Sequence, residues 1–483
     1  MRVVLVQPAG SNWVPGERDI TPVANRMAPL GLLSIAAYLE QRGHQVFVHD
    51  GLGPDAPANL AGNVDAVLHL EPDLVGFSTT TSSFLDGHDM AVRLKAARPR
   101  VLTVFGGVHV SALGGVLLEK FSAIDCLCPG EGEVTLAELA DGREPAAIDG
   151  LIRRDGERIV ENPPRAPLSD LDQLPFPDYA ALRGFPRRYH LPLFSYVQAP
   201  GATMSTSRGC LYQCSYCDRS VFKRSHRVNS AEYIHEHMRH LRERFGVRHV
   251  NVYDDLFTQD RERITALCER LASKPLGIQF NCAVRVGHAD AELLRMLKDA
   301  GCLMVSVGIE SADPALLARH KAGVKVDEVR ETVARIQFAG LRAKGLFMMG
   351  LPGETEESIR RTSDFALELG LDDMNMTKFT PFPGAPIWKT LAGEGELNED
   401  WRLMNCLHFV FVPKTMQSRE QLDQLYNWHV KRFYSDPRWR RTFRGRLWQH
   451  RRSMLHFLLH LPSFLAAKRH FEPGVPVEHR TER

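Results

Sequence analysis

Short apolar runs alternate along this chain with longer stretches in which apolar side chains recur every three or four positions. In the first third, the runs at residues 3–7, 45–49, 74–78, 102–105 and 124–127 read as strands, and residues 30–42 and 84–97 carry the helical period. Strands that alternate with helices predict a parallel, doubly wound α/β sheet of the Rossmann type. Ligands of such sheets bind beyond the carboxyl ends of the strands. The loops there, at 8–10, 50–53, 79–82, 106–111 and 129–133, are rich in Gly, Ser and Thr, so a bulky ligand can approach the backbone closely.

Residues 146–200 lose the alternation and are rich in proline, as in Asn162-Pro-Pro-Arg-Ala-Pro, which predicts an extended connector across the first domain. A second series follows. Strands are expected at 203–206, 249–253, 279–283, 304–308, 345–349 and 373–378, with helices at 231–244, 261–272, 289–300, 326–339 and 356–369. Six β–α units are too few to close an eight-unit barrel, so a partial, curved (β/α)6 barrel is predicted. Its open side needs a cover, which the first domain and the tail can supply. The expected division is a first domain over 1–145, a connector over 146–200, the barrel over 201–395 and a basic helical region over 396–483.

Composition narrows this picture. A length of 483 residues suits two or three domains, and 44% hydrophobic with 24% charged residues is ordinary for a globular protein. A net charge of +2 gives no reason to expect a nucleic-acid partner. The cysteines outside one cluster are scattered, which does not suggest a disulfide framework and fits reduced thiols in the cytoplasm. The N-terminal Met-Arg-Val-Val-Leu-Val run reads as a strand rather than a leader, and no apolar stretch reaches the ~18 residues of a membrane span. The tail is different. Between Arg438 and Arg469 the chain has nine Lys or Arg and no Asp or Glu, around an apolar run from Met454 to Leu465. The preferred reading is a helix that covers the barrel. The other is a peripheral contact with the inner membrane surface or with a lipid-like substrate.

The chemistry is concentrated in Ser207-Arg-Gly-Cys-Leu-Tyr-Gln-Cys-Ser-Tyr-Cys-Asp218. Cys210, Cys214 and Cys217 can wrap one loop round a corner of an iron–sulfur cube. Such a cube takes one soft anionic ligand per iron, so three cysteines leave one iron open for a substrate. A zinc site or three unrelated core thiols are the alternatives, but zinc sites usually bring paired cysteines or added histidines at short spacing. Arg208 and Arg219 flank the triplet, where positive charge would ease reduction of a cluster. Later strand ends carry Tyr253-Asp-Asp-Leu-Phe257, Val307-Gly-Ile-Glu-Ser311 and Phe347-Met-Met-Gly-Leu-Pro-Gly-Glu-Thr355. Each also reads as an ordinary strand-to-helix turn with a capping residue.

Taken in order, these motifs resemble those of the radical S-adenosylmethionine (SAM) enzymes. With Ala28-Pro-Leu-Gly-Leu-Leu-Ser-Ile-Ala-Ala-Tyr-Leu39, Gly106-Gly-Val-His-Val-Ser111 and Pro129-Gly-Glu-Gly-Glu133, the chain is similar to their cobalamin-binding class. The likeness is nearest to the branch of the anaerobic magnesium-protoporphyrin monomethyl ester oxidative cyclase and the phosphinate C-methylases. The resemblance implies a [4Fe–4S] cluster on Cys210, Cys214 and Cys217, with SAM on the open iron. It implies SAM contacts from Tyr216, Asp254, Asp255, Glu310, Ser311, Gly350 and Gly353. It implies cobalamin over the first domain, with Ser78, Thr79, Gly106, Gly107 and His109 beside the nucleotide tail. The DxHxxG motif of other cobalamin domains is absent, since His49-Asp-Gly-Leu-Gly53 has the letters in another order, which implies cobalt without a protein histidine beneath it. The first domain could also serve only as a lid.

The implied reaction is cleavage of SAM to a 5′-deoxyadenosyl radical, hydrogen abstraction from an unactivated carbon, and methylation of that carbon. An oxidative cyclase without methyl transfer is the alternative, and an electron-transfer or sensing module the third reading. The implied partners are a small-molecule or lipid-like substrate and a reductant of the flavodoxin or ferredoxin type.

Overall fold

Four consecutive buried residues, Val3 to Val6, place β1 (Arg2–Gln7) inside a sheet covered on both faces. In the computed structural model, which describes residues 1–10 and 25–470, the first sheet has seven strands in the order β2-β1-β3-β4-β5-β6-β7. Its parallel part is β1, β2 (Gln45–Asp50), β3 (Leu74–Ser78), β4 (Leu102–Gly106) and β5 (Cys126–Cys128). Its helices are α1 (Leu30–Gln41), α2 (Leu60–Leu68), α3 (Phe84–Ala97), α4 (Val108–Leu113), α5 (Val116–Lys120) and α6 (Glu133–Ala140). One face packs with α1 and α6 through Leu5, Leu32, Val104 and Leu136; the other packs Phe77, Phe84, Met90 and Phe105 beneath α3. The order doubles back between β2, β1 and β3, which is where ligands of such sheets settle.

The connector does more than cross the surface. An antiparallel hairpin, β6 (Ile152–Asp155) and β7 (Arg158–Glu161), adds to the edge of the first sheet. It was hidden because two four-residue strands around Asp155–Arg158 show little apolar alternation. The rest of the connector is a strap over both domains. Asp178 N–H donates to Leu33 O at 3.0 Å, and the Tyr179 hydroxyl donates to Thr203 O at 2.9 Å.

The second sheet has six parallel strands in chain order. They are β8 (Gly201–Met204), β11 (His249–Val252), β12 (Gln279–Val284), β13 (Cys302–Glu310), β14 (Arg342–Met349) and β15 (Asp373–Lys378), the short pair β9 (Ser207–Arg208) and β10 (Arg227–Val228) standing apart. Between them lie α7 (Ala231–Phe245), α8 (Arg261–Ser273), α9 (Ala291–Asp299), α10 (Pro314–His320), α11 (Val326–Phe338) and α12 (Glu356–Glu368). The expected curled half-barrel is therefore present. Ser230, Asp260, Asp290, Asp313 and Thr355 each cap one of these helices by accepting a backbone N–H. Buried apolar rows such as Leu293, Leu294 and Leu297 press the helices onto the sheet.

After a small hairpin, β16 (Gly395–Leu397) and β17 (Phe411–Pro413), the tail forms α13 (Arg419–Ser435), α14 (Pro437–Arg446) and α15 (Arg451–His470). It bridges the two edge strands of the open barrel. At the β15 edge, Tyr434 Oη donates to Asp373 Oδ1 at 3.0 Å and Trp439 Nε1 to Asp372 O at 2.9 Å. Toward β8, His450 Nδ1 donates to Tyr196 O at 3.0 Å and its Nε2 accepts from Arg342 at 2.8 Å. Among the described residues, no helix is long and apolar enough to cross a membrane.

Candidate functional site

Strand β8 leads into the cysteine loop through residues 205–208, and a carboxylate holds that lead-in. Asp254 Oδ1 accepts from the backbone N–H of Thr206 at 2.6 Å and of Ser207 at 3.1 Å, while Oδ2 accepts from the Thr206 hydroxyl. Arg263 stands 3.8 Å from Oδ2, and the Asp254 side chain is fully buried. Asp254 is thus a strut beneath the loop. Neither acid of the pair caps the next helix, because Asp260 does. Asp255 stays exposed, close enough to Cys210 to help burial push that thiol upward.

Two residues after Ser207 the chain turns at Gly209, with φ +87°. A Cβ here would sit 2.3 Å from Ser225 O, so only glycine lets the loop fold back on itself. Cys210, Cys214 and Cys217 then face one region. Cys217 donates to Cys214, and this contact, with the cations of Lys321 and Arg285, brings the Cys214 thiol down while Cys217 goes up. Among the described residues, no group of three His, Cys, Asp or Glu side chains gathers as a ready-made metal site. A cube does not require one ion to meet all three sulfurs, because it spreads them over three irons. Soft thiols on one loop with cations beside them suit a cluster whose ligands must be thiolates.

The flanking arginines do other work than expected. Arg219 Nη1 donates to Tyr212 O at 3.0 Å and pins the loop. Arg208 pairs with Glu131 at 3.0 Å and Glu133 at 2.6 Å, both in the first domain, and Arg227 reaches Glu131 at 2.7 Å. The positive charges near sulfur come from residues that the sequence reading missed. Arg285, just past β12, lies 3.7 Å from Cys214 Sγ, with its guanidinium 3.8 Å over the Tyr212 ring. Lys321 donates to Glu310 Oε1 at 2.7 Å and Gly308 O at 2.8 Å. The available signal was position, since Arg285 stands at the carboxyl end of a barrel strand.

Glu310 ends β13 with φ +65°, next to a register shift between Gly308 and Glu310, and this irregularity turns its carboxylate toward Lys321 and Tyr216. Ser311 is buried, and its hydroxyl accepts from Asp313 N–H at 3.1 Å, so it supports the α10 turn instead of facing the site. Tyr216 packs against the cluster of Leu351, Phe379 and Phe411 beside the cysteines. Gly350 and Gly353 both adopt left-handed φ in a turn whose Gly350 and Leu351 N–H groups donate to buried Glu354. Burial pushes the Glu354 carboxyl up to about 8.

A cavity of about 410 Å³ lies between the first sheet and the lead-in to the cysteine loop. Ser78, Gly106, Gly107, Gly130 and Glu133 line it from one domain, and Ser207, Arg208, Phe222 and His237 from the other. Gly107, at φ +96°, has room only for glycine, because a Cβ would meet Thr79 O at 2.5 Å. A large ligand would find glycine, small polar groups and apolar walls there, which fits a nucleotide tail entering beside the sheet. Of the residues expected beside the nucleotide tail, Ser78, Gly106 and Gly107 line this cavity. Thr79 and His109 do not. Thr79 is buried with its N–H on Gly106 O, and His109 is wedged 4.7 Å from Phe84 and 4.4 Å from Trp401. His49 is turned away to Asn63 at 2.8 Å.

Comparisons with known proteins identify both domains. The profile of the Radical SAM superfamily matches residues 204–366, and that of the B12 binding domain matches residues 19–140. The chain is 30% identical over 447 residues to an uncharacterised methyltransferase of Pyrococcus horikoshii, covering 91% of this chain and 93% of that one. It is 25% identical over 446 residues to the anaerobic magnesium-protoporphyrin IX monomethyl ester cyclase of Rubrivivax gelatinosus, covering 90% and 77%. In fold it is similar to the cobalamin-dependent S-adenosylmethionine radical enzyme OxsB, solved with aqua-cobalamin and S-adenosylmethionine bound. That TM-score is 0.68 at 16% identity, over 95% of this chain and 72% of the other.

Proposed function

The chain belongs to the cobalamin-binding radical SAM enzymes, and from that premise we propose that it methylates an unactivated carbon of a small molecule. The observation that carries this reading is the cavity wall shared by Gly106 and Gly107 on one side and Ser207 and Arg208 on the other. It sets the carboxyl edge of the B12-binding sheet against the residues that enter the cysteine loop, so a methyl donor and a radical source would serve one substrate.

Cys210, Cys214 and Cys217 would hold the cluster, with Arg285 and Lys321 beside the sulfurs. Glu310, Tyr216, Asp255 and the Gly350–Gly353 turn would contact SAM. Ser78, Gly106 and Gly107 would border the cobalamin. Neither His49 nor His109 lines the cavity, which supports cobalt without a histidine from this domain. When bound, the cluster and SAM supply a 5′-deoxyadenosyl radical, and the cobalamin supplies a methyl group. The protein's own part is to bind, orient and exclude water. Asp254 and Gly209 fix the loop, the ion pairs of Arg208 fix the domains against each other, and the strap seals the cavity's far side.

A single experiment tests this reading. Reconstituted enzyme with its substrate should form S-adenosylhomocysteine and 5′-deoxyadenosine together, and label from methyl-deuterated SAM should enter the product. Formation of 5′-deoxyadenosine alone favours the second reading, an oxidative cyclisation, which the similarity to the porphyrin cyclase over 90% of the chain supports. Cys217 is exposed, which supports electron delivery at that edge by a flavodoxin- or ferredoxin-type carrier. The exposed leucines of α15 beside basic residues support peripheral contact with anionic lipid and a lipid-like substrate class.

A further inference from the structure

His237 lies on α7, with one side turned to the cavity and 1% of its surface exposed. Its ring stacks on Phe176 at 4.8 Å and 10°, so its plane is held. Neither Nδ1 nor Nε2 has a hydrogen-bond partner in the protein. A buried polar atom without a partner is costly, and this ring carries two. Burial drives its pKa down to about 3, so the ring is neutral and offers one donor and one acceptor. Leu171, Leu174, Pro175 and Pro177 of the strap face the cavity here, and the polar groups of the neighbouring lining residues Tyr233 and Asn229 are engaged by Leu174 O and Asp172. No residue of the cysteine loop accounts for a fixed, neutral, unpartnered imidazole at this depth.

We infer that His237 is the polar contact for the buried end of the cobamide's nucleotide tail, donating its ring N–H to the free nitrogen of the lower base. This rests on the cobalamin reading above and deepens it. It names the kind of cobamide the protein takes: one whose detached base presents an unprotonated nitrogen acceptor, as dimethylbenzimidazole does and a phenolic base does not. The ring's stacking on Phe176 makes it a rigid reader rather than an adaptable one.

The test is binding, read from the visible spectrum of the corrinoid, with hydroxocobalamin, a phenolyl cobamide and tail-less cobinamide as probes. Wild-type protein should prefer hydroxocobalamin to the phenolyl cobamide by about tenfold, the worth of one buried hydrogen bond. His237→Phe should erase that preference and leave cobinamide binding unchanged, while His237→Gln keeps part of it. Iron content and unfolding temperature equal to wild type show that the variants fold; if His237→Phe does not fold, the wild-type preference and His237→Gln still decide. Equal affinity of wild type for the two complete cobamides overturns the inference and assigns the ring to water. A nitrogen splitting in the cobalt(II) resonance that His237→Phe removes also overturns it, by putting the ring beneath cobalt. Failure of wild type to bind any of the three corrinoids sinks the cobalamin reading itself, a result distinct from either.

Discussion

Arg208 Nη2 donates to Glu133 Oε1 across the two domains at 2.6 Å, two residues before the first cysteine of the cluster loop. Glu133 is the first residue of α6, and it also accepts from Ser34 Oγ at 2.7 Å. The side chains are 17% and 5% exposed. Burial alone would raise the Glu133 carboxyl, but the charge and hydrogen bonds of Arg208 outweigh it and hold it low. The B12-binding domain and the cysteine loop are thus joined by a buried charge network, in which Arg208 meets Glu133 and Glu131 and Arg227 meets Glu131.

Removing one partner strands the other. Arg208→Ala should lower stability by about 3–5 kcal/mol, because it leaves a buried carboxylate without its cation. Arg208→Lys should fall between, since an ammonium cannot serve Glu131 and Glu133 with one planar fork. Adding Glu133→Gln to Arg208→Ala should recover part of the loss. Denaturant unfolding of the four proteins checks this, and a double variant less stable than Arg208→Ala would contradict it.

The half-barrel was legible because its strands are short apolar runs at regular spacing and its helices keep a clear apolar stripe. The cysteine loop was legible because its chemistry is local, with three thiols in eight residues. What the sequence could not show was long-range. The contacts of Asp254 with Thr206 and Ser207 join parts of the chain that the sequence holds far apart. Arg208 looks like a neighbour of the cluster, yet its partners lie about 75 residues earlier. Arg285 and Lys321 approach Cys214 from two other β–α units, and nothing near them in the chain marks that meeting. The β6–β7 hairpin was missed because its strands have polar faces and pair only at a sheet edge.

The cysteine triplet carries a simple expectation. Anaerobically reconstituted wild type should hold about four iron and four sulfide per chain. Changing Cys210, Cys214 and Cys217 together to Ala should abolish both, and changing the buried Cys282 should not. Metal and sulfide analysis decides it, and a triple variant that keeps its iron and still cleaves SAM would remove the cluster from this loop.

Glu354 sets a pH dependence. Its folded pKa is about 8 against an ordinary 4.5, raised first by burial. The folded protein therefore keeps a proton that the unfolded chain releases, so the stability from this group is full below about 4.5 and is lost as pH rises through about 8. Glu354→Gln has no such proton and still offers an oxygen to the Gly350 and Leu351 N–H groups. Wild type should lose stability relative to this variant between pH 5 and 8, read as the gap between their unfolding temperatures at each pH. A gap that does not change with pH would show that the carboxyl is ionised throughout.

The tail has two parts with two expected fates. Residues 437–450 are tied to the barrel by Trp439 to Asp372, Arg446 to Asp372 and His450 to Tyr196 and Arg342. A chain ending at Asp436 loses all of these and uncovers the floor of the open barrel, so it should unfold at lower temperature or aggregate. A chain ending at His450 keeps them and loses only α15, whose Leu455, Leu458 and Leu459 are 61%, 54% and 69% exposed and follow the exposed Arg440, Arg441, Arg444 and Arg451. Leucines three and four apart with cations alongside make a surface suited to anionic lipid. The full chain should sediment with anionic vesicles and come off as salt rises, since screening weakens that attraction. The chain ending at His450 should stay folded and remain in the supernatant. Equal sedimentation of the two proteins would take the lipid contact away from α15, and equal stability of the chain ending at Asp436 would show that the barrel floor needs no cover.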